Sequence, residues 1–382
     1  MKKYKYLYRK MLDEELIRRA FYKMRRGKTK RKELKEIEKN LEIEIRTMRI
    51  MIENTKPPDV KVEHPELAFE PVRHKVSFVM DAGKEREIYK PEIHELWLQH
   101  IIMLVLGPII QNRSYIYSCG SMPKRGGHYG KKIIEKWIRD GKIKYFIKID
   151  IRHFYRNVRI KIVMRYLKRI IADDWFLYII ELCFKWFSKG LPLGFYISQW
   201  LANYLLEPMD FAIAKEEKCY VRYVDDIAIG GKNKKKLATL LKRIKMCLGR
   251  WYRLKLKRNY QVCKFDYTKA GKTIGRPIDI MGFVFYKNRT SFRKNTMVRA
   301  TRIARKIHKR TEEGKRIYLK HARAMLSRLG WFKNTDTYDI YERRVKPFIK
   351  VKKLKRIIAI ADRRKRNAGL EKRNERYRAA AA

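Results

Sequence analysis

Two stretches of the chain place carboxylates where they could do chemistry. Phe146-Ile147-Lys148-Ile149-Asp150 is an apolar run that ends in an acid and is followed closely by Phe154-Tyr155. Tyr223-Val224-Asp225-Asp226-Ile227 sets adjacent carboxylates at the junction of two apolar, β-prone runs. Adjacent acids in an apolar surround repel when both are ionised, so they call for a compensating cation. Mg²⁺ is the natural candidate, because it prefers hard oxygen ligands and often shares its shell with substrate phosphates. Three acids on neighbouring strands suit a site for two ions, one activating an attacking hydroxyl and the other steadying a leaving pyrophosphate. A lone Asp-Asp pair is more simply a strand-turn feature; here a third acid accompanies it.

These acids need a scaffold, and the chain offers its elements in a readable order. Tyr145–Ile149 predicts a buried strand, 161–187 a helix pair and 198–207 a further helix. Tyr220–Val224 and Ile227–Ile229 read as short strands, 234–250 as a helix, 255–265 as a strand and 278–286 as a hairpin. Upstream, apolar residues at helical spacing (Leu16, Ala20, Met24, then Leu34, Ile37, Leu41, Ile45) predict two helices split by the basic turn Gly27-Lys28-Thr29-Lys30. Lys56–Pro71 reads as a linker into a hairpin of Val76–Val79 and Arg86–Tyr89 around Asp81-Ala82-Gly83. An apolar helix over 91–110, a basic glycine-containing loop over 115–129 and a helix over 131–140 follow. From about 296 the chain is helical and basic, with a low-complexity tail over 363–378; the alanine run 379–382 is set aside as a cloning remnant.

A chain of 382 residues fits one bilobed enzyme or two to three subdomains, and 45% hydrophobic residues exclude disorder for most of it. Lysine and arginine number 95 against 40 acids, a net charge of +55. Self-repulsion of that size persists where a polyanion neutralises it, so nucleic acid is the expected partner. A membrane role is not expected, since the longest apolar run, Ile101–Ile110, is about half the ~20 residues a bilayer crossing needs. The basic N-terminus lacks the apolar stretch of a secretory signal, and a cytoplasmic location is expected. The five cysteines form no CxxC pair and read as reduced core residues.

Taken in order, the blocks GKEREIYKP, LQHII, FIKIDIRHFY, LPLGFYISQWLANYLLEPMD, YVRYVDDIAIGG, LKLKRNYQV and IDIMGFVFY resemble those of reverse transcriptases across most of the chain. Where retroviral and group II intron enzymes show a Gly-x-x-x-Ser-Pro block, this chain has Gly194 to Ser198 followed by Gln199. That pattern is similar to the reverse transcriptases of diversity-generating retroelements, as are RRGKTKRKELKEIEKNLE, NYQV and the TSFRK segment. The resemblance implies an α+β, right-hand polymerase fold: an N-terminal helical extension and linker over 1–72, fingers over 73–145, a palm with an antiparallel sheet over 146–295, and a helical thumb with basic tail over 296–378. It implies an RNA-directed DNA polymerase of bacterial or phage origin that copies a template RNA with errors opposite adenine. Implied partners are template RNA, the RNA/DNA hybrid, dNTPs and a basic, oligomeric accessory variability protein. The acidic stretches Asp13-Glu14-Glu15 and Glu33 to Glu44 are candidates for contact with that protein. Other readings are a group II intron-like, retron or phage-defence reverse transcriptase, or a noncatalytic RNA-binding protein on a decayed palm.

The resemblance also assigns roles. Asp150, Asp225 and Asp226 bind two Mg²⁺ ions, with the Ile151 carbonyl as a further ligand. Tyr155 is the aromatic gate against a 2′-hydroxyl, unless it simply packs in the core. Arg86 contacts the incoming triphosphate, a task suited to a planar, permanently charged fork, or else is a solvated hairpin charge. Gly194 lets backbone approach nucleotide or template closely, or is a turn glycine. Leu193 stands where retroviral enzymes place a glutamine that holds the incoming nucleotide. Ser198 and Gln199 touch template or cap a helix, Tyr223 touches the primer terminus, and Lys124, Arg125 and His128 contact phosphates or form a solvated surface. Lys257 matches the general-acid lysine of other polymerases only loosely, which leaves the proton donor open.

Overall fold

The computed structural model describes residues 3–29, 31–81, 84–270 and 272–364. Lys30 and the centre of the Asp81-Ala82-Gly83 turn lie outside the described residues, as do the basic tail beyond 364 and the terminal alanines. The chain divides into two compact units, 1–264 and 265–382.

The first unit opens with helices α1 (Leu7–Met11), α2 (Glu14–Arg25), α3 (Lys32–Lys39) and α4 (Leu41–Asn54). Each turns one apolar stripe inward: Ile17, Ala20, Phe21 and Met24 of α2 and Ile45, Met48 and Ile52 of α4 are buried, the pattern a 3.6-residue period produces. Asp13 caps α2 by accepting from Glu15 N at 3.0 Å. The linker that follows carries only a 3₁₀ turn, Pro65–Leu67, before the antiparallel hairpin of β1 (Lys75–Asp81) and β2 (Lys84–Lys90).

Helix α5 (Ile93–Arg113) is apolar on nearly every side, and most of it is buried, with α1 and α2 packed against it. By length and composition alone it could cross a bilayer, a longer apolar helix than the expected 91–110 run suggests; 78% of its most apolar window lies inside the protein, as in a core helix. Then come α6 (Gly127–Arg139), β3 (Tyr145–Asp150), α7 (Phe154–Asn157), α8 (Ile160–Leu167), α9 (Asp174–Leu182), α10 (Tyr196–Leu205), α11 (Glu207–Glu216), β4 (Cys219–Tyr223), β5 (Asp226–Gly231), α12 (Lys234–Cys247) and β6 (Gln261–Lys264). Strands β4-β5-β3-β6 form one antiparallel sheet in that order. The strand expected over 255–265 is thereby shortened. Leu256 makes only an isolated bridge to Ile151, and a turn at Arg258-Asn259 separates it from β6.

The second unit holds a small hairpin of β7 (Tyr267–Lys269) and β8 (Lys272–Ile274) and a three-stranded antiparallel sheet of β9 (Ile278–Ile280), β10 (Phe283–Phe285) and β11 (Thr290–Phe292). Helices α13 (Lys294–Glu312), α14 (Leu319–Lys333) and α15 (Tyr338–Arg344) follow. Phe292 of β11 shares one core with Ala300, Ala304, Ala322 and Met325. The boundary expected at 295/296 therefore does not fall between compact units, since strand and helices here bury the same apolar surface. All five cysteines are unpaired, and Cys119, Cys183 and Cys219 are buried. The composition is α+β with antiparallel sheets.

Candidate active site

Strand pairing alone brings the three acids together. Asp150 at the end of β3 lies opposite Asp226 at the start of β5. Tyr223 pairs with the same Asp226 across β4 and β5, so Val224 and Asp225 form a two-residue hairpin turn. Such turns demand a left-handed backbone, normally supplied by glycine or asparagine. Here Val224 adopts it, at φ 59°, a conformation a β-branched residue takes only when its surroundings over-determine it.

Those surroundings are visible. Arg222 Nη1 donates to the Val224 carbonyl at 3.0 Å, and Ile151 N donates to the Asp225 carbonyl at 3.2 Å. Cys119 N donates to the Arg222 carbonyl at 2.7 Å, which fastens the 115–120 loop along β4. A Cβ on Gly120 would sit 2.8 Å from Val224 N and nearer still to Val224 Cγ2, so only glycine leaves room for the turn. Arg222 is itself 1% exposed. Its Nε and Nη2 donate to the two oxygens of Asp210 at 2.7 and 2.6 Å, and its Nη1 also donates to Asn203 Oδ1 at 3.0 Å. Tyr220 donates to Asp210 as well, and Asn203 Nδ2 donates to the Gly120 carbonyl at 2.6 Å. A bidentate, fully satisfied arginine–carboxylate pair is rigid, and this one props up the turn from below. Sequence reading missed Arg222, Asp210, Asn203 and Gly120; the available signal was an arginine inside the otherwise apolar strand Tyr220–Val224.

The acids meet lysines. Lys257 Nζ donates to Asp150 Oδ2 at 2.6 Å and Lys257 N to the Asp150 carbonyl at 2.9 Å, while Lys148 Nζ stands 3.9 Å from Asp226 Oδ1. Asp225 has its carboxyl pushed up from the usual range, chiefly by burial and next by the charge of Asp150, with Lys257 and Arg86 pulling it back. Asp150 Oδ1 is buried without a hydrogen-bond partner. Among the described residues no three His, Cys, Asp or Glu side chains are gathered closely enough to form a ready metal cluster. Two of the acids stand beside ammonium groups instead, Asp150 with Lys257 and Asp226 near Lys148. The donor set nevertheless fits a divalent cation: hard carboxylate oxygens, one of them buried and unsatisfied, on strands in register. Ile151, the further ligand expected, is paired with Leu256 and bonded to Asp225, which keeps its backbone beside the acids.

Around the acids, Tyr155 on α7 is half-buried, and its hydroxyl is pushed up to about 12, first by burial and then by Asp225. Arg86 on β2 is exposed, and its positive charge is felt at both Asp225 and Tyr155, so the hairpin faces the site. Glu87 pairs with Arg156 of α7 at 3.1 Å, strapping the hairpin to the same helix. Tyr89 N donates to the Leu193 carbonyl at 2.7 Å. Gly194 lies at φ +110°, where a Cβ would collide with the Tyr89 carbonyl oxygen; the close approach this glycine permits is to the hairpin's own backbone. Beneath, His74 and Glu95 pair at 2.6 Å, Gln99 Nε2 donates to Glu95 at 3.2 Å, and Gln99 Oε1 accepts from Tyr196 N at 2.8 Å. This buried chain, also missed from sequence, anchors the 191–196 loop to α5.

Other expected contacts are redistributed. Phe195, not Ser198 or Gln199, occupies the N-cap of α10, so neither caps it. Ser198 is 1% exposed with a buried, unbonded hydroxyl, which removes it from direct template contact and leaves Gln199, exposed on the next position. Tyr223 is 37% exposed at the edge of the acids. Arg125 donates to the carbonyls of Ser114 and Tyr115 at 3.4 and 3.2 Å; it closes its own loop, while Lys124 and His128 remain on the surface.

Residues 97–270 match the family model of reverse transcriptase (RNA-dependent DNA polymerase). The matched span contains all three acids, Tyr155 and Lys257, and begins after Arg86. Solved structures similar to this chain include telomerase from Candida albicans in complex with a TWJ fragment of telomeric RNA, at 14% identity and a TM-score of 0.44, covering 75% of this chain and 58% of that one. Apo telomerase from Candida tropicalis is similar at 10% identity and a TM-score of 0.43, covering 76% of this chain and 61% of that one. The chain thus spans about three fifths of the length of those structures. No curated protein matches it.

Proposed function

We propose, from the premise that residues 97–270 are a reverse transcriptase domain, that this chain is an RNA-directed DNA polymerase making error-prone cDNA in a diversity-generating retroelement. The polymerase reading is carried by the register that sets Asp150 opposite Asp226, with Asp225 on a turn held in a costly conformation. Proteins retain strain of that kind where position matters more than stability. Asp150, Asp225, Asp226 and the Ile151 carbonyl would hold two Mg²⁺ ions. Such ions, when bound, neutralise charge developing on the primer hydroxyl and on the leaving pyrophosphate.

The chain's own residues do the rest. Arg86, exposed and facing the acids, receives the triphosphate. Tyr155 walls the sugar on its 2′ side and so favours deoxynucleotides. Tyr223 supports the primer end, and Gln199, Lys124 and His128 meet the template. Lys257, already beside Asp150, is placed to give a proton to departing pyrophosphate. Residues 73–145 serve as fingers, 146–295 as palm, 296–378 as thumb and tail, and 1–72 as a helical extension.

The retroelement reading rests on the run from Leu193 to Gln199, where an aliphatic residue replaces an orienting amide and glutamine replaces proline. It brings with it template RNA, the RNA/DNA hybrid and a basic accessory protein in bacterial or phage-infected cytoplasm. The acidic stretches proposed for that protein are largely engaged within the chain: Arg18 with Glu42, Arg25 with Glu38, Arg49 with Glu14 and His94 with Glu44. RNA bridging is therefore the proposed route of association. Primer extension on a primed RNA template with Mg²⁺ and dNTPs, with and without the accessory protein, tests the polymerase reading. Sequencing the cDNA tests the retroelement reading, which predicts misincorporation concentrated at template adenines; absence of any extension refutes both.

A further inference from the structure

A second basic feature lies in the first unit, on elements that carry none of the three acids. The start of α8, the 188–189 loop and the turn that follows α12 surround a cavity of about 430 Å³. Six of its nine lining residues are arginine or lysine and none is acidic. Among the described residues no carboxylate pairs with Arg159, Lys161, Arg165, Lys189, Arg250 or Arg253. Arg18 and Arg25 of the N-terminal extension, by contrast, each find a glutamate. An uncompensated, concave cluster is therefore more than the general basicity of a +55 chain.

The cavity also holds an aromatic ring that folding does not require. Trp251 is 50% exposed. It sits in a single π-helical turn, Leu248–Tyr252, which ends at Arg253 in the left-handed region at φ 55°. Such turns interrupt a regular helix and are common at functional sites. Arg165 Nη2 donates to the Trp251 carbonyl at 3.2 Å, and the Arg250 guanidinium lies 5.4 Å from the indole ring centre. The turn's apolar residues Leu248 and Tyr252 are buried, so the fold uses those and leaves the indole outside. An isolated exposed tryptophan needs no explanation; one ringed by unpaired cations does.

We infer that this cavity is a binding site for single-stranded nucleic acid, with a base stacked on Trp251 and the flanking phosphates held by Arg159, Arg165, Lys189 and Arg250. A groove of cations around an exposed aromatic is the arrangement by which proteins hold single strands irrespective of sequence. Inorganic phosphate or pyrophosphate would use the cations but have no use for the ring. A duplex would present no free base face to it. The inference rests on the nucleic-acid reading of the chain but on no catalytic step.

The test uses the full chain carrying Asp225→Asn, so that polymerisation plays no part. Fluorescein-labelled oligo(U) and oligo(dT) are bound by anisotropy over a range of salt, and 5-iodouracil-substituted versions are photocrosslinked. The expected crosslink is to the peptide bearing Trp251. Trp251→Ala is expected to remove it and to weaken binding roughly tenfold, the scale of one lost stacking contact, while Trp251→Phe restores most of the affinity. Arg159→Gln with Lys189→Gln is expected to flatten the log-log salt dependence by about 1.4, at roughly 0.7 per phosphate on a single strand. Equal binding of oligo(U) and oligo(dT) identifies any single strand as ligand; preference for oligo(U) narrows it to RNA. Unchanged affinity and crosslinking in Trp251→Ala, or equal losses for Trp251→Ala and Trp251→Phe, would overturn the inference. Trp251, Arg159 and Lys189 are exposed, so altering them is expected to leave the melting temperature of the Asp225→Asn chain unchanged. Failure of the polymerase reading would show in primer extension by the unaltered chain, which this experiment does not use.

Discussion

Gly120→Ala probes how tightly the carboxylate turn is seated. The added methyl would lie 2.8 Å from Val224 N, against 3.4 Å for the near edge of ordinary contact, and it would press harder still on Val224 Cγ2. The side-chain clash can be eased by rotating Val224 about χ1, but the clash with the backbone nitrogen cannot. The turn must therefore rise by about 0.6 Å or the 115–120 loop must retreat. The loop is pinned by Cys119 N to the Arg222 carbonyl and by Asn203 to the Gly120 carbonyl, so the turn is expected to give. A 1 Å misplacement of reacting groups costs on the order of a hundredfold in rate. A shift of about 0.6 Å of Asp225 and Asp226 then predicts a loss of roughly ten- to a hundredfold in single-turnover primer extension. If instead the packing holds and absorbs the strain, overpacking costs about 1–3 kcal/mol of stability. Extension and thermal unfolding are measured on the same preparation. Extension within twofold of the unaltered chain together with an unchanged melting temperature would refute the claim that Gly120 seats the turn.

Other expectations follow from the same geometry. Asp225→Asn removes a buried charge facing Asp150, so it should abolish extension. It should also raise the metal-free melting temperature by about 2–4 °C for each kcal/mol of repulsion relieved. Because burial raises the Asp225 carboxyl, the ionised form is what costs the fold; the gain is present at neutral pH and disappears in acid, where the native group is already neutral. Arg222→Met strands the buried Asp210 and should destabilise by about 3–5 kcal/mol. Arg222→Met combined with Asp210→Leu should recover much of that stability but not extension, because the Val224 carbonyl still lacks its donor; recovery of both would make the pair purely structural. Tyr155→Ala should raise ribonucleotide incorporation relative to deoxynucleotide, read by alkali-sensitive products, and an unchanged ratio would take Tyr155 out of sugar selection. Leu193→Gln should lower misincorporation at template adenines without stopping synthesis, and equal error frequencies in sequenced cDNA would take Leu193 out of the fidelity mechanism.

What could be read from sequence and what could not divides along a physical line. Asp150, Asp225 and Asp226 were legible because each sits inside a run whose local character, apolar strand then acid, survives without knowledge of the partner strand. The hairpin expected at Val76–Val79 and Arg86–Tyr89 and the helix expected over 131–140 were legible for the same reason, since period and turn residues are properties of a few neighbours; the helix begins earlier, at Gly127, inside the stretch expected as loop. Lys257 was only loosely matched, because its value lies in standing 2.6 Å from an acid 107 positions away. Ser198 was expected to touch template or cap a helix because serine near a helix start usually caps, and its burial, with α5 and α10 packed together, is not written in its own segment. Arg222, Asp210, Asn203 and Gly120 come from four separate stretches, and no local rule marks any of them as belonging together.

That last group explains why the Tyr-Val-Asp-Asp turn can exist at all. Valine at φ 59° opposes its own sterics, and a two-residue hairpin alone would select glycine or asparagine there. The turn is held from beneath by an arginine that a buried carboxylate fixes in place, and from the side by a glycine that yields its Cβ volume. Arg222 spends one donor on the turn itself and others on Asp210 and Asn203, so the strain at Val224 and the burial of a full ion pair stabilise one geometry. Neither would be favourable separately: an unpaired buried arginine is costly, and an unsupported left-handed valine would relax. Coupled, they fix where Asp225 and Asp226 stand relative to Asp150 before any cation or substrate arrives. The reorganisation that three free carboxylates would otherwise undergo is met in folding, which is the form preorganisation takes where the acting groups are mostly charge.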